Sequence, residues 1–137
     1  MDLNSLRLLI VDDEVYLLNS IGRFLKLWGC EYDMVTNVDK AISLLDAHRE
    51  ERNYYHLVLV DIHIPGKNGL SLVKYIKQND INLPCIIMTG FADNTSRNNS
   101  YSAGCDNFIN KPFTPLELKA VIEETIKSND NSNKRGF

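Results

Sequence analysis

The feature that most constrains this chain of 137 residues is an alternation of short apolar runs with segments of helical period. Leu6–Val11 and Leu57–Val60 are continuous in leucine and β-branched residues. Such runs read as strands covered on both faces, since a half-exposed strand would alternate polar and apolar positions. Between them, Val15, Leu18, Ile21 and Leu25 share one face of a helix expected over about Glu14–Trp28, with Gly29 as its stop. Strands and helices in this order build an α/β protein around a parallel sheet.

The pattern continues to residue 127. A weaker strand is expected over Glu31–Thr36, followed by a helix carrying Val38, Ala41, Ile42 and Leu45. Ala47–Tyr55 is a charged connection, and His63–Gly69 is dense in turn residues. Gly69, Leu72, Val73 and Ile76 mark a third helix, and Pro84–Thr89 a fourth strand. Asp93–Ser102 is rich in Asn, Ser and Thr, which compete for backbone hydrogen bonds, so the fourth helix is expected to be short or mobile. Asn107–Asn110 is a brief fifth strand. Thr114, Pro115 and Glu117 then supply cap, first-turn proline and capping-box acid for a last helix buried through Leu118, Val121, Ile122 and Ile126. The expected division is one domain over residues 1–127 and a polar tail or start of a linker over 128–137.

Composition removes several function classes. Lys and Arg total 15 against 18 Asp and Glu, so no strongly basic face is expected and direct nucleic-acid contact is disfavoured. The apolar runs are too short to span a bilayer, and the N-terminus has no secretion signal. Cys30, Cys85 and Cys105 are scattered without ligand or redox spacing, which fits reduced thiols in the cytoplasm. His48, His56 and His63 match no metal-ligand spacing either.

Chemistry concentrates at the strand ends. Asp12 and Asp13 end the first strand, Asp61 the third and Thr89 the fourth, while Lys111 follows the fifth. An open parallel sheet places all of them at its carboxyl edge, where such folds hold ligands. Each has a plainer reading on its own: Asp12 and Asp13 as helix-capping acids, Asp61 as a turn residue, Lys111 as a solvated charge. Together, three carboxylates call for a hard cation, and magnesium prefers such oxygen ligands. A carboxylate can also act as nucleophile toward phosphorus, with a lysine and a hydroxyl on the phosphoryl oxygens.

Four pieces, IVDDE (Ile10–Glu14), LVDIHIPGKNG (Leu59–Gly69), MTG (Met88–Gly90) and NKPF (Asn110–Phe113), stand in the order and spacing of one family. Over about Leu6–Lys127 the chain resembles the response-regulator receiver domains of two-component signalling. The resemblance implies a doubly wound (βα)5, flavodoxin-like fold with strand order 2-1-3-4-5. It implies Asp61 as phosphoacceptor, and a magnesium ion, replaceable by manganese, on Asp13, Asp61 and the backbone carbonyl of His63, with Asp12 helping directly or through water. Thr89 and Lys111 would contact phosphoryl oxygens, and Thr89 with Phe108 would form the switch. A cis bond is implied at Lys111–Pro112. The side chains of His63 and Phe91 would tune dephosphorylation. Implied partners are a histidine kinase or histidine phosphotransfer protein, an output domain or effector, and a second copy on activation. The domain would be a signalling switch and not a turnover enzyme.

Three other classes fit less well. An aspartyl phosphatase wants an acid two residues after its nucleophile, where Asp61 has His63. A nucleotide binder wants a Gly-rich loop where this chain has Asp12–Leu17. A docking module that takes no phosphoryl group would be expected to have lost an acidic or lysine position, and none is lost.

Overall fold

A computed structural model describes residues 3–51, 54–64, 66–90 and 94–135. In chain order its elements are β1 (Arg7–Val11), α1 (Val15–Leu27), β2 (Glu31–Val35), α2 (Val38–His48), β3 (Leu57–Asp61), α3 (Gly69–Asn79), β4 (Cys85–Thr89), α4 (Asn94–Ala103), β5 (Asn107–Asn110) and α5 (Pro115–Arg135). The strands form one sheet of order β2-β1-β3-β4-β5, parallel at every pairing. This is the expected doubly wound architecture. β3 and β4 are buried along their whole length and β2 is a partly exposed edge, as their sequences imply.

Alternation along the strands makes two cores. Leu8, Ile10, Leu57, Leu59, Ile86, Met88 and Ile109 face α1 and α5, meeting Leu18, Ile21, Leu25, Leu118, Ile122 and Ile126. Leu9, Val11, Val58, Val60 and Ile87 face the other way, onto Val38, Ala41 and Leu45 of α2 and Leu72, Val73 and Ile76 of α3. Burying each such side chain contributes about 1.5–3 kcal/mol, so these layers dominate stability.

Local chemistry sets the helix ends. Asn37 and Asn68 accept the N–H of Lys40 and Ser71 and so cap α2 and α3. Thr114 accepts the Glu117 N–H and donates its hydroxyl to the Glu117 carboxylate, both at 3.1 Å. Gly29 stops α1 at φ +81°, with Cys30 N–H reaching back to Leu25 O at 2.9 Å. α4 forms over ten residues, one fewer than α2 or α3, despite its composition. α5 differs from expectation: its backbone stays helical to Arg135, through most of the segment read as a tail. Once a capped and packed helix is nucleated, extending it costs little even for polar residues.

Two polar clusters brace the amino end of the sheet. Arg7 bonds Asp33 at 2.9 Å and lies 4.8 Å from the centre of the Tyr55 ring, whose hydroxyl also donates to Asp33. Lys77 Nζ donates to Asp106 at 2.7 Å and Leu83 O at 2.8 Å, tying the turn before β4 to the turn before β5. Cys30, Cys85 and Cys105 are buried and form no disulfide with one another. Burial pushes the Cys85 thiol up to about 12 and that of Cys105 up to about 11.

Burial alone would raise the pKa of Asp33, but the bonds from Tyr55 and Arg7 more than offset it, and the net shift is downward. A depressed carboxyl pKa stabilises the fold above the ordinary value near 4 and loses that contribution as pH falls through the folded value. Urea midpoints measured from about pH 6 down to 2 are therefore expected to fall more steeply for the wild type than for Asp33→Asn. Parallel curves would show that the cluster adds no acid-sensitive stability.

Candidate functional site

The parallel register carries the polar strand ends to one edge. Val11 pairs with Val60, Asp61 with Met88 and Thr89 with Asn110, so Asp12, Asp61, Thr89 and Lys111 emerge side by side. Lys111 Nζ lies 2.7 Å from Asp12 Oδ2 and 3.0 Å from Asp61 Oδ2, with Glu14 Oε2 at 3.9 Å. Asp12 Oδ1 accepts the Glu14 N–H at 2.9 Å, and Asp61 Oδ1 accepts the His63 N–H at 3.1 Å. Each buried carboxylate thus has one oxygen on the ammonium and one on a backbone N–H two residues ahead, the geometry of an Asx turn.

Asp12 is fully buried, and burial pushes its pKa up against the pull of Lys111 and the Glu14 N–H. For Lys111, burial works downward, but the hydrogen bonds to Asp12 and Asp61 outweigh it and the net shift is upward. Both shifts are upward, which disfavours the charged carboxylate and favours the charged ammonium: Asp12 is wholly desolvated, whereas the ammonium keeps some solvent and collects two carboxylates. The shared ammonium offsets part of the cost of burying the Asp12 carboxylate.

Oxygens of Asp12, Asp13 and Asp61 all lie within 4.8 Å of one another. Asp13 is exposed, so the cluster opens to solvent on its side. Three carboxylates against one ammonium leave excess negative charge, and the donors are all hard oxygens. That set fits a small divalent cation and not a soft metal. Thr89 is fully buried at the end of β4. Phe108 is half-buried on β5 and packs against the core under α2 and α3. The Lys111–Pro112 bond is cis, as expected. The His63 side chain is exposed and helps to line a groove of about 510 Å³. Phe91 lies outside the described residues.

Three contributors escaped the sequence reading. Glu14 stands beside Lys111, and Asn99 of α4 lines the groove with Asp13 and His63. Gly69 was read as part of a helical stripe, yet a Cβ there would sit 2.1 Å from Asp61 O. Its N–H also donates to Ile62 O at 3.0 Å. A glycine where the helical pattern wants an apolar side chain was the available signal; Glu14 and Asn99 gave none.

Fold and site define a receiver of the kind found in bacterial and plant signalling regulators. Residues 8–123 match the response regulator receiver domain family, and the chain belongs to it. Over 129 residues it is 30% identical to the transcriptional regulatory protein CiaR of Streptococcus pneumoniae, covering 94% of this chain and 55% of that protein. It is 32% identical over 124 residues to the regulatory protein VanRB of Enterococcus faecalis, covering 90% of this chain and 53% of the relative. The chain thus spans about half the length of these curated relatives. A CheY-like response regulator receiver domain protein from Methanospirillum hungatei superposes with a TM-score of 0.83 at 26% identity, covering 94% of this chain and 99% of that one. Among the described residues, no helix is long and apolar enough to cross a membrane.

Gly69→Ala is expected to destabilise the domain by about 1–3 kcal/mol, the usual cost of forcing extra volume into a packed contact. The clash is with backbone, which cannot rotate away. An unchanged urea midpoint would show that α3 and Asp61 separate freely.

Proposed function

We propose that this domain accepts a phosphoryl group on Asp61 from a phosphohistidine, in a magnesium-dependent step, and signals through the face built by α4, β5 and α5. The observation that carries this reading is the meeting of Asp12, Asp13 and Asp61 within 4.8 Å, with Lys111 bridging Asp12 and Asp61. Asp12, Asp13, Asp61 and the His63 backbone carbonyl would hold the ion. When bound, it supplies positive charge to the transferring group and to the acidic cluster.

An oxygen of Asp61 attacks phosphorus, the P–N bond of the donor breaks, and its electron pair returns to the imidazole, which takes up a proton. The Asp61 oxygen that accepts the His63 N–H is held in orientation by that bond. Lys111 already sits on the other oxygen and needs only a small shift to neutralise a phosphoryl oxygen. Thr89, at the adjoining strand end, can donate its hydroxyl to another. Drawing Thr89 inward would let Phe108 follow, shifting the outer face only as far as the phosphorylated form favours that state.

Partners consistent with this reading are a histidine kinase or histidine phosphotransfer protein, with an output domain or effector and a second copy of the chain downstream. The chemistry is that of a switch that catalyses its own phosphorylation and hydrolysis and stays in the cytoplasm. The His63 side chain, exposed on the groove, can border the path of attacking water, and Phe91 occupies a comparable position in sequence.

Incubation with magnesium and acetyl phosphate is expected to add one labile phosphoryl group by intact mass, lost with EDTA and in Asp61→Asn. A folded protein that gains nothing would favour a docking module. Magnesium at about ten times its Kd should stabilise the fold by about 1.4 kcal/mol. In Asp13→Asn, which leaves both Lys111 bonds in place, most of that gain should vanish from the melting curve. His63→Ala should alter the lifetime of the phosphorylated form and leave its formation intact; equal decay rates would remove His63 from the mechanism.

A further inference from the structure

β5 is an edge of the sheet. The Lys111 N–H donates to Thr89 O at 2.7 Å, and alternation along the strand then turns the Phe108 N–H, three residues back, away from β4. At an ordinary edge such a group is left to solvent. Here it donates to Asn107 Oδ1 at 2.9 Å. The other half of the same amide, Nδ2, donates to Thr125 Oγ1 at 3.0 Å, and the Thr125 hydroxyl donates to Val121 O at 2.7 Å. The peptide of Phe108 is thereby joined to the backbone of α5 by three hydrogen bonds in series.

The polarity of this chain is fixed. The Thr125 proton is committed to Val121 O, so its oxygen can only accept from Asn107, while the Phe108 N–H can only donate. A flipped amide would set donor against donor at one end and leave two acceptors facing at the other. Thr125 is 3% exposed, so water cannot easily replace a lost bond there. The two ends also lie on opposite faces of the sheet. Phe108 packs into the core of α2 and α3, while Asn107 reaches Thr125 on the face where Ile122 and Ile126 pack.

We propose that Asn107 is a positioning residue that ties the peptide of Phe108 to α5 through Thr125, so that movement of Phe108 on one face is felt on the other. The inference rests on the reading of Phe108 as the switching aromatic. It gives the α5 side of the output face a specific mechanical link, separate from contacts through α4.

The test uses the full chain with magnesium and acetyl phosphate. Intact mass reads phosphoryl uptake, and amide hydrogen exchange is read separately on peptides covering β5 and α5. Thr125→Val keeps the shape of the buried side chain and removes only the hydroxyl; Asn107→Ala removes the bridge. In the wild type, uptake should change exchange in both segments. In both variants, uptake and the β5 change should persist, while the α5 change falls about threefold or more. An α5 change of wild-type size in the variants overturns the proposal, as does a phosphorylated wild type with no α5 response. Should Asn107→Ala not fold, Thr125→Val alone decides. Absence of uptake in the wild type overturns the phosphoacceptor reading instead. Phe108→Ala then supplies the perturbation at the same end of the chain, with the same two outcomes for α5.

Discussion

The ammonium of Lys111, shared between Asp12 and Asp61, is the interaction on which the carboxyl edge depends. Lysine follows the edge strand β5, yet its partners follow β1 and end β3, so the side chain reaches past β4 to two strands that do not pair with its own. Two buried carboxylates without it would carry an uncompensated charge costing several kcal/mol. The parallel register brings one cation and two anions to the same edge. The same arrangement leaves Asp13 over, which keeps the edge electrostatically unfinished and receptive to a further positive charge.

The two ends of the sheet therefore differ in kind. At the amino end, Arg7, Asp33 and Tyr55 close on one another, and Lys77 meets Asp106 and Leu83 O. At the carboxyl end acids outnumber bases, and burial works against the charged form of Asp12.

Much of this was legible in the residues. Leu57–Val60 could hardly be other than a doubly covered strand, and Thr114, Pro115 and Glu117 announced α5 in register. Asp12, Asp61, Thr89 and Lys111 could be read because each directly ends or follows an apolar run, and a parallel sheet sends all such ends to one edge. What failed to show were contacts made across space by residues of ordinary type. Glu14 looks like any first-turn acid, Asn99 is one of many polar residues on α4, and the bond between Asn107 and Thr125 joins positions 18 apart with no pattern to link them. The reach of α5 to Arg135 was hidden for another reason: composition reports what a segment prefers alone, whereas a well-anchored helix carries its neighbours along.

The sulfur atoms beneath β4 have a consequence of their own. Only a thiolate attacks an oxidant or exchanges with a disulfide, and burial holds Cys85 and Cys105 in the protonated form far above neutral pH. A strand that ends in Thr89 can therefore contain a cysteine without becoming a sensor of peroxide or of glutathione. Around β4, burial keeps these two thiols out of peroxide and glutathione chemistry.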